Sequence, residues 1–325
     1  MILKPSQIPY EPMISVVITL FNKAPYIQRA LNSIFNQTHQ DFEIIVIDDG
    51  STDKGAEIVN KISDSRIHLI QQQNVGVSIA LNWGIQKSTT DLIAFLDADD
   101  EWKSEYLNTI LRLKDKYPKA GMYATTFEMV TKTGQKILPQ SSGIPTNSWE
   151  GILPNFFRDS LPDVPFVRSS MAIYKKVINK VGGFPEDVRF GEDIDLAVRI
   201  ALRYPIAFNN AAYVIYHLED ENRAGKKYHF EGNVPFYQTI KSAIADESGF
   251  KGENVDMMEF LARHQITAAR HQLEIGGTVE TLEILNSIRY TKKYRNQWLV
   301  LRFFAMFPNR FFKFGLSMRD LLKDH

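Results

Sequence analysis

The chain reads as an α/β protein, a helix-covered sheet of mainly parallel strands followed by a helical C-terminal extension. Three observations predict this. Short β-branched runs alternate with helical repeats through the first hundred residues. Acidic clusters stand at the ends of those runs, where ligands gather in parallel sheets. From about Gly232 onward the apolar spacing becomes almost wholly helical.

Ile14-Ser-Val-Val-Ile-Thr-Leu20 is a β-branched run of buried-strand length. Ile27, Ala30, Leu31, Ile34 and Phe35 then recur at the spacing of one helix face. Glu43-Ile-Ile-Val-Ile-Asp48 predicts a second strand, closed by the turn-rich Asp49-Gly-Ser-Thr-Asp53. Thr52 or Asp53 can cap a helix carrying Ala56, Ile58, Val59 and Ile62. A short strand over 66–70, a helix over 77–87 and a buried strand over 92–96 complete the alternation. Beyond Asp100 the pattern predicts a helix over 104–116, strands over 122–130 and 169–174, and a helix over 193–202. Residues 134–148, rich in Gly, Pro and Ser, read as a loop, and 213–216 as strand-like. The change of pattern predicts a domain over 1–225, with halves 1–100 and 101–225, and a helical subdomain over 226–325.

Composition narrows the function. Formal charge is balanced, which argues against bulk nucleic-acid binding. The balance hides an asymmetry: nine Lys/Arg lie from Arg289 onward against Asp320 and Asp324. With no cysteine, any metal must be held by oxygen or His. Residues 1–10 lack the apolar core of a signal peptide, and no apolar stretch has the length of a membrane span. A cytoplasmic protein is expected, with peripheral contact at the inner membrane face open through the tail. There, Trp298, Phe303, Phe304, Phe307, Phe311, Phe312 and Phe314 interleave with Arg302, Arg310, Lys313 and Arg319. Such a stripe serves as core, as a homodimer contact or as a seat on an anionic membrane.

Three acidic clusters carry the chemistry. Asp97 and Asp99 lie two apart at a strand end, so both can face one way, roughly 6–7 Å apart. Hard oxygen ligands suit Mg²⁺ or Mn²⁺ bridging a diphosphate; the alternative is a helix cap at Asp99 or Asp100. Asp49, beside a Gly-Ser turn, can accept a hydrogen bond from a pyrimidine or ribose, or close an Asx-turn. Glu192-Asp193 opens a helix after Gly182-Gly-Phe-Pro185, which suits either the helix dipole or a general base with an orienting neighbour. His217 is a core histidine or a third metal ligand, and Arg223, Lys226 and Lys227 beyond it could close over a diphosphate.

Taken together, these segments resemble the inverting family-2 glycosyltransferases with a GT-A fold. The resemblance rests on Ser15-Val-Val-Ile-Thr-Leu-Phe-Asn22, Tyr26-Ile-Gln-Arg-Ala-Leu-Asn-Ser-Ile-Phe-Asn-Gln-Thr38, Asp41-Phe-Glu-Ile-Ile-Val-Ile-Asp-Asp-Gly-Ser-Thr-Asp53 and Phe95-Leu-Asp-Ala-Asp-Asp100. Gly182-Gly-Phe184 and Gly191-Glu-Asp-Ile-Asp-Leu196 extend it, so that it covers about residues 13–218. It implies a Rossmann-like mixed sheet flanked by helices. It also implies that Thr19 and Phe21 line the nucleotide-base pocket and that Asp49 binds the base. Asp97 and Asp99 become the DXD motif, with Asp100 a further candidate. Asp193 becomes the catalytic base, with Glu192 the second candidate. The implied reaction is metal-dependent transfer from a nucleotide-diphosphate sugar, UDP-linked, to a glycan, lipid-linked or protein acceptor. Leu81 stands where the family often has an arginine. The Gln-x-x-Arg-Trp block of processive synthases is absent, so single-sugar transfer is expected. The rivals are a sugar-phosphate nucleotidyltransferase and a sugar-nucleotide-binding pseudoenzyme.

Overall fold

The computed structural model describes residues 13–188, 190–220, 234–245 and 254–306. The chain divides into two compact units, residues 1–223 and 224–325.

The first unit is built on one mixed sheet. Its elements are β1 (Ile14–Leu20), α1 (Ile27–Phe35), β2 (Phe42–Asp49), α2 (Gly55–Asn60), β3 (Ile67–Gln72), α3 (Val77–Lys87) and β4 (Leu92–Asp97). There follow β5 (Glu101–Trp102), α4 (Tyr106–Lys116), β6 (Met122–Val130), β7 (Lys136–Ile137), β8 (Glu150–Ile152) and α5 (Phe156–Asp159). A 3-10 turn (Arg168–Ser170), β9 (Met171–Tyr174), α6 (Lys175–Val181), α7 (Glu192–Ala201) and β10 (Ile206–His217) complete it. The strand order is β3-β2-β1-β4-β9-β6-β10-β5, with β7 on β6 and β8 on β10.

Strands β1 to β4 pair in parallel, as their unbroken apolar runs require: every residue of β2 is buried, so neither face meets water. The sheet becomes mixed beyond β4, as the resemblance implies. There β9 runs antiparallel to both β4 and β6, and β5 antiparallel to β10. The four-residue β9 offers no periodicity to reveal this. β10 is longer than the 213–216 expected, and it shifts register between Asn209 and Val214. These irregularities let one strand pair with β8 at its start and β5 near its end. Strand order reverses at β1–β4, placing a crevice at the carboxyl ends of those two strands.

The second unit contains α8 (Pro235–Ala245), α9 (Asn254–Glu274), α10 (Thr278–Ser287) and α11 (Arg295–Ala305). Ala262, Ile266, Ala269 and Leu273 form the inward stripe of α9 against Leu285, Ile288, Trp298 and Leu301. Trp298 of the aromatic tail is therefore core, and its Nε1–H donates to the Leu285 carbonyl at 2.7 Å. Phe303 is 58% exposed. Phe307, Phe311, Phe312 and Phe314 lie outside the described residues. Among those described, no helix is long and apolar enough to cross a membrane.

Candidate active site

The end of β4 is fixed from below before any ligand is considered. The Asp100 amide donates to the Asp97 carbonyl at 3.0 Å, closing a tight turn. Asp100 points inward and is 1% exposed; it accepts from Ser169 Oγ at 2.5 Å and from the His217 amide at 3.4 Å. The same Ser169 hydroxyl accepts from the Asp97 amide at 3.1 Å. Burial, reinforced by Asp99 and Asp97, pushes the Asp100 carboxyl well above the usual range. Asp100 thus anchors the turn, leaving Asp97 and Asp99 to face the crevice.

Two cations hold those carboxylates. Arg168, from the 3-10 turn, reaches Asp97 Oδ1 through Nε at 2.7 Å and Nη2 at 2.6 Å, and its Nη1 contacts Glu192 Oε1. Burial works against the Arg168 charge, but Asp97, Glu192 and Asp193 outweigh it and raise its pKa further. Lys23 Nζ lies 2.5 Å from Asp99 Oδ2 and also contacts Asp220 Oδ2. Burial raises the Asp99 pKa, Lys23 pulls it down and Asp97 pushes it up. Lys23 follows Asn22, whose φ of 53° lies in the left-handed region where Asn is tolerated. Asn22 keeps that bend by accepting from the Thr52 amide at 2.8 Å.

The third acidic group opens α7. Gly191 turns the chain with a φ of 84°, which admits Glu192 into the first helical turn. The preceding Gly182-Gly-Phe turn is pinned to α3 by Asn82, which accepts from the Phe184 amide at 2.8 Å and donates to its carbonyl at 2.9 Å. A Cβ on Gly183 would lie 2.4 Å from Asn82 Oδ1, so a side chain there would displace the Asn82 amide. Asp193 stays partly exposed and accepts from the Ile194 amide at 2.8 Å. Burial raises its pKa, opposed by Arg168 and by that amide. A carboxylate made more basic by burial, yet still in the field of a nearby arginine, is suited to accept a proton.

The other expected site residues are placed as follows. Thr19 pairs in register with Asp97, and Phe21, 45% exposed, follows at the end of β1. Asp49, at the end of β2, is 4% exposed. It accepts from the Val75 and Gly76 amides, both at 2.9 Å, and from Gln72 at 2.7 Å. Those bonds use three of a carboxylate's roughly four acceptor positions and fix the carboxylate against the β3–α3 loop. His217 does not join Asp97 and Asp99; its Nε2 meets Glu101 Oε2 at 3.3 Å. Arg223 and Lys226 lie outside the described residues. Among those described, no three His, Cys, Asp or Glu side chains converge as a metal-binding group. Sequence reasoning missed Lys23, Arg168, Ser169 and Asp220. Lys23 falls just past the quoted segment that ends at Asn22, and nothing local marks Arg168. A groove of about 690 Å³ runs from Pro25 and Arg29 to Lys103 and Ser104. Arg29 Nη2 donates to the Asp99 carbonyl at 2.7 Å, so that groove borders the acidic turn.

A mixed sheet with acids gathered at the ends of its parallel strands is the layout of the GT-A glycosyltransferases. The fold matches Staphylococcus aureus TarS 1–349, solved in complex with UDP-GlcNAc, at a TM-score of 0.64 and 20% identity, over 89% of this chain and 79% of that one. The chain belongs to glycosyl transferase family 2, whose model matches residues 15–182. An uncharacterised glycosyltransferase of Rickettsia bellii is 31% identical over 202 residues, 61% of this chain and 27% of that protein. The chondroitin synthase of Pasteurella multocida is 28% identical over 195 residues, 58% of this chain and 19% of the synthase. The chain thus spans about a quarter to a third of the length of the first curated relatives it matches (27% and 32%).

Proposed function

We propose that this chain is an inverting, non-processive glycosyltransferase that moves one sugar from a UDP-linked donor to a hydroxyl of a glycan, lipid-linked or protein acceptor. The observation that carries the reading is Arg168. It joins Asp97, from the motif at the end of β4, to Glu192 at the head of α7, so donor-side and base-side acids share one cluster. Family membership supports transfer chemistry, and TarS, which has the same fold, supports a UDP-linked donor because it is solved with UDP-GlcNAc.

In this reading Thr19 and Phe21 border the base, and Asp97 and Asp99 face the ribose and diphosphate. Asp193 takes the proton of the acceptor hydroxyl, whose oxygen forms the new bond to the anomeric carbon. The bond from that carbon to the diphosphate oxygen breaks, and the nucleoside diphosphate leaves with the electron pair. Attack from the side opposite the leaving group inverts the anomeric centre. Glu192, held by Arg168, orients the pair.

The donor chemistry fits Mn²⁺ or Mg²⁺: Asp99 and Asp220 already grip a cation, the ammonium of Lys23, between hard carboxylate oxygens. When bound there, such an ion supplies Lewis-acid stabilisation of the departing diphosphate. The test is incubation of the purified chain with UDP-sugars and oligosaccharide acceptors, reading free UDP and the anomeric configuration of the product. Release of UDP with an inverted product is expected. Pyrophosphate release, or UDP binding without turnover across acceptor classes, would overturn the reading.

A further inference from the structure

We infer that Lys23 is a built-in counter-cation for the Asp99–Asp220 pair, holding the place of a divalent ion until that ion displaces it. The inference rests on the metal-dependent part of the proposed function and deepens it. The three residues come from distant parts of the chain: the loop after β1, the turn after β4 and the segment beyond β10. Their side chains are 16%, 16% and 7% exposed, so both carboxylates gather on one ammonium where solvent screens them little. Two facing carboxylates with so little solvent are costly unless a cation lies between them. Lys23 is that cation, with Nζ at 2.5 Å from Asp99 Oδ2 and in contact with Asp220 Oδ2.

A divalent ion would need these same oxygens, so ammonium and metal exclude each other. The two cations of the site differ in how readily they yield. Arg168 is a planar fork engaged with two acids through three nitrogens. Lys23 is a single ammonium on a flexible four-carbon stem that can swing aside. Its base is fixed independently, because the Ala24 amide donates to Asp53 Oδ2 at 2.8 Å and Asn22 is tied to Thr52. Displacement therefore moves the ammonium without moving the loop.

The experiment measures Mn²⁺ alone binding to the full chain by electron paramagnetic resonance of the free ion. Lys23→Met should bind Mn²⁺ more tightly than wild type by about tenfold or more, given the strength of close charge pairs. Lys23→Arg, which keeps a cation there, should stay as weak as wild type. Adding Asp220→Asn to Lys23→Met should remove the gain. Thermal melting gives a second readout: saturating Mn²⁺ should raise the Tm of Lys23→Met more than that of wild type. If Lys23→Met does not fold, Lys23→Gln carries the same expectations. Equal Mn²⁺ affinity in wild type and variant would overturn the counter-cation role while leaving metal dependence standing. Absence of Mn²⁺ binding in both would overturn both, whereas sugar transfer itself is judged separately by UDP release.

Discussion

In the sheet-containing unit, buried and half-buried carboxylates face cations: Asp97 and Glu192 meet Arg168, and Asp99 and Asp220 meet Lys23. Among the described residues of the helical unit, a buried acid is met by neutral donors. Glu259 accepts from the Thr291 hydroxyl at 2.6 Å and the Lys292 amide at 2.7 Å. His264 lies between the rings of Phe236 and Phe260, at 5.1 and 4.5 Å, with Nδ1 against the Phe260 carbonyl. The difference separates two uses of a buried polar group. Neutral donors satisfy an acid locally and leave nothing to exchange, which serves packing. A mobile cation between two acids can be replaced by another cation, which serves ligand binding.

The largest expected effect breaks the chemistry in the first unit and leaves its fold intact. Asp193→Asn should lower kcat by about 10²–10⁴-fold, the usual contribution of a positioned base, with an unchanged melting temperature. Steady-state UDP release and circular dichroism would check it. Arg168→Met should cost about 3 kcal/mol of stability in urea unfolding, because it strands the buried Glu192 and the half-buried Asp97. The milder Arg168→Gln sharpens the electrostatic part. In the proposed mechanism Asp193 must be ionised to take a proton, so activity should fall as pH drops through its raised pKa. Arg168 favours the ionised form, so its loss should move the acid limb of the rate profile to higher pH.

The second unit should respond to pH through His264, whose pKa burial lowers from 6.5 to about 3. The unfolded chain takes up the proton first, so stability is full above pH 6.5 and declines as pH falls toward 3. Between pH 7 and 5 the loss should be about 2 kcal/mol, read from hydrogen exchange of the 254–274 amides under urea. His264→Leu should remove that slope. Phe303→Ser, on an exposed position, should change stability by less than about 0.5 kcal/mol.

What could be read from the sequence follows the same division. Runs such as Ile14–Leu20 and Phe42–Asp49 are legible because a strand buried on both faces must be apolar throughout. The acids of the crevice are visible as oddities at strand ends. Their partners are not. Arg168 sits 71 residues from Asp97 and 24 from Glu192, in a stretch with neither periodicity nor motif, and only the fold brings it between them. Asp49 shows the converse. Its place in a motif is legible, but the β3–α3 loop amides that bond its carboxylate are not, a pairing that no local spacing encodes.

The arginine of the 3-10 turn also constrains how this chain can be re-engineered. Chimeras that exchange residues 101–220 for a relative's segment would be the natural way to alter what such an enzyme recognises. A graft carrying its own residue at 168 but keeping this Asp97, or importing a helix start without an acid at 192, leaves one end of the bridge dangling in a dry crevice. The two halves are therefore not freely interchangeable modules; positions 97, 168 and 192 must travel as a set.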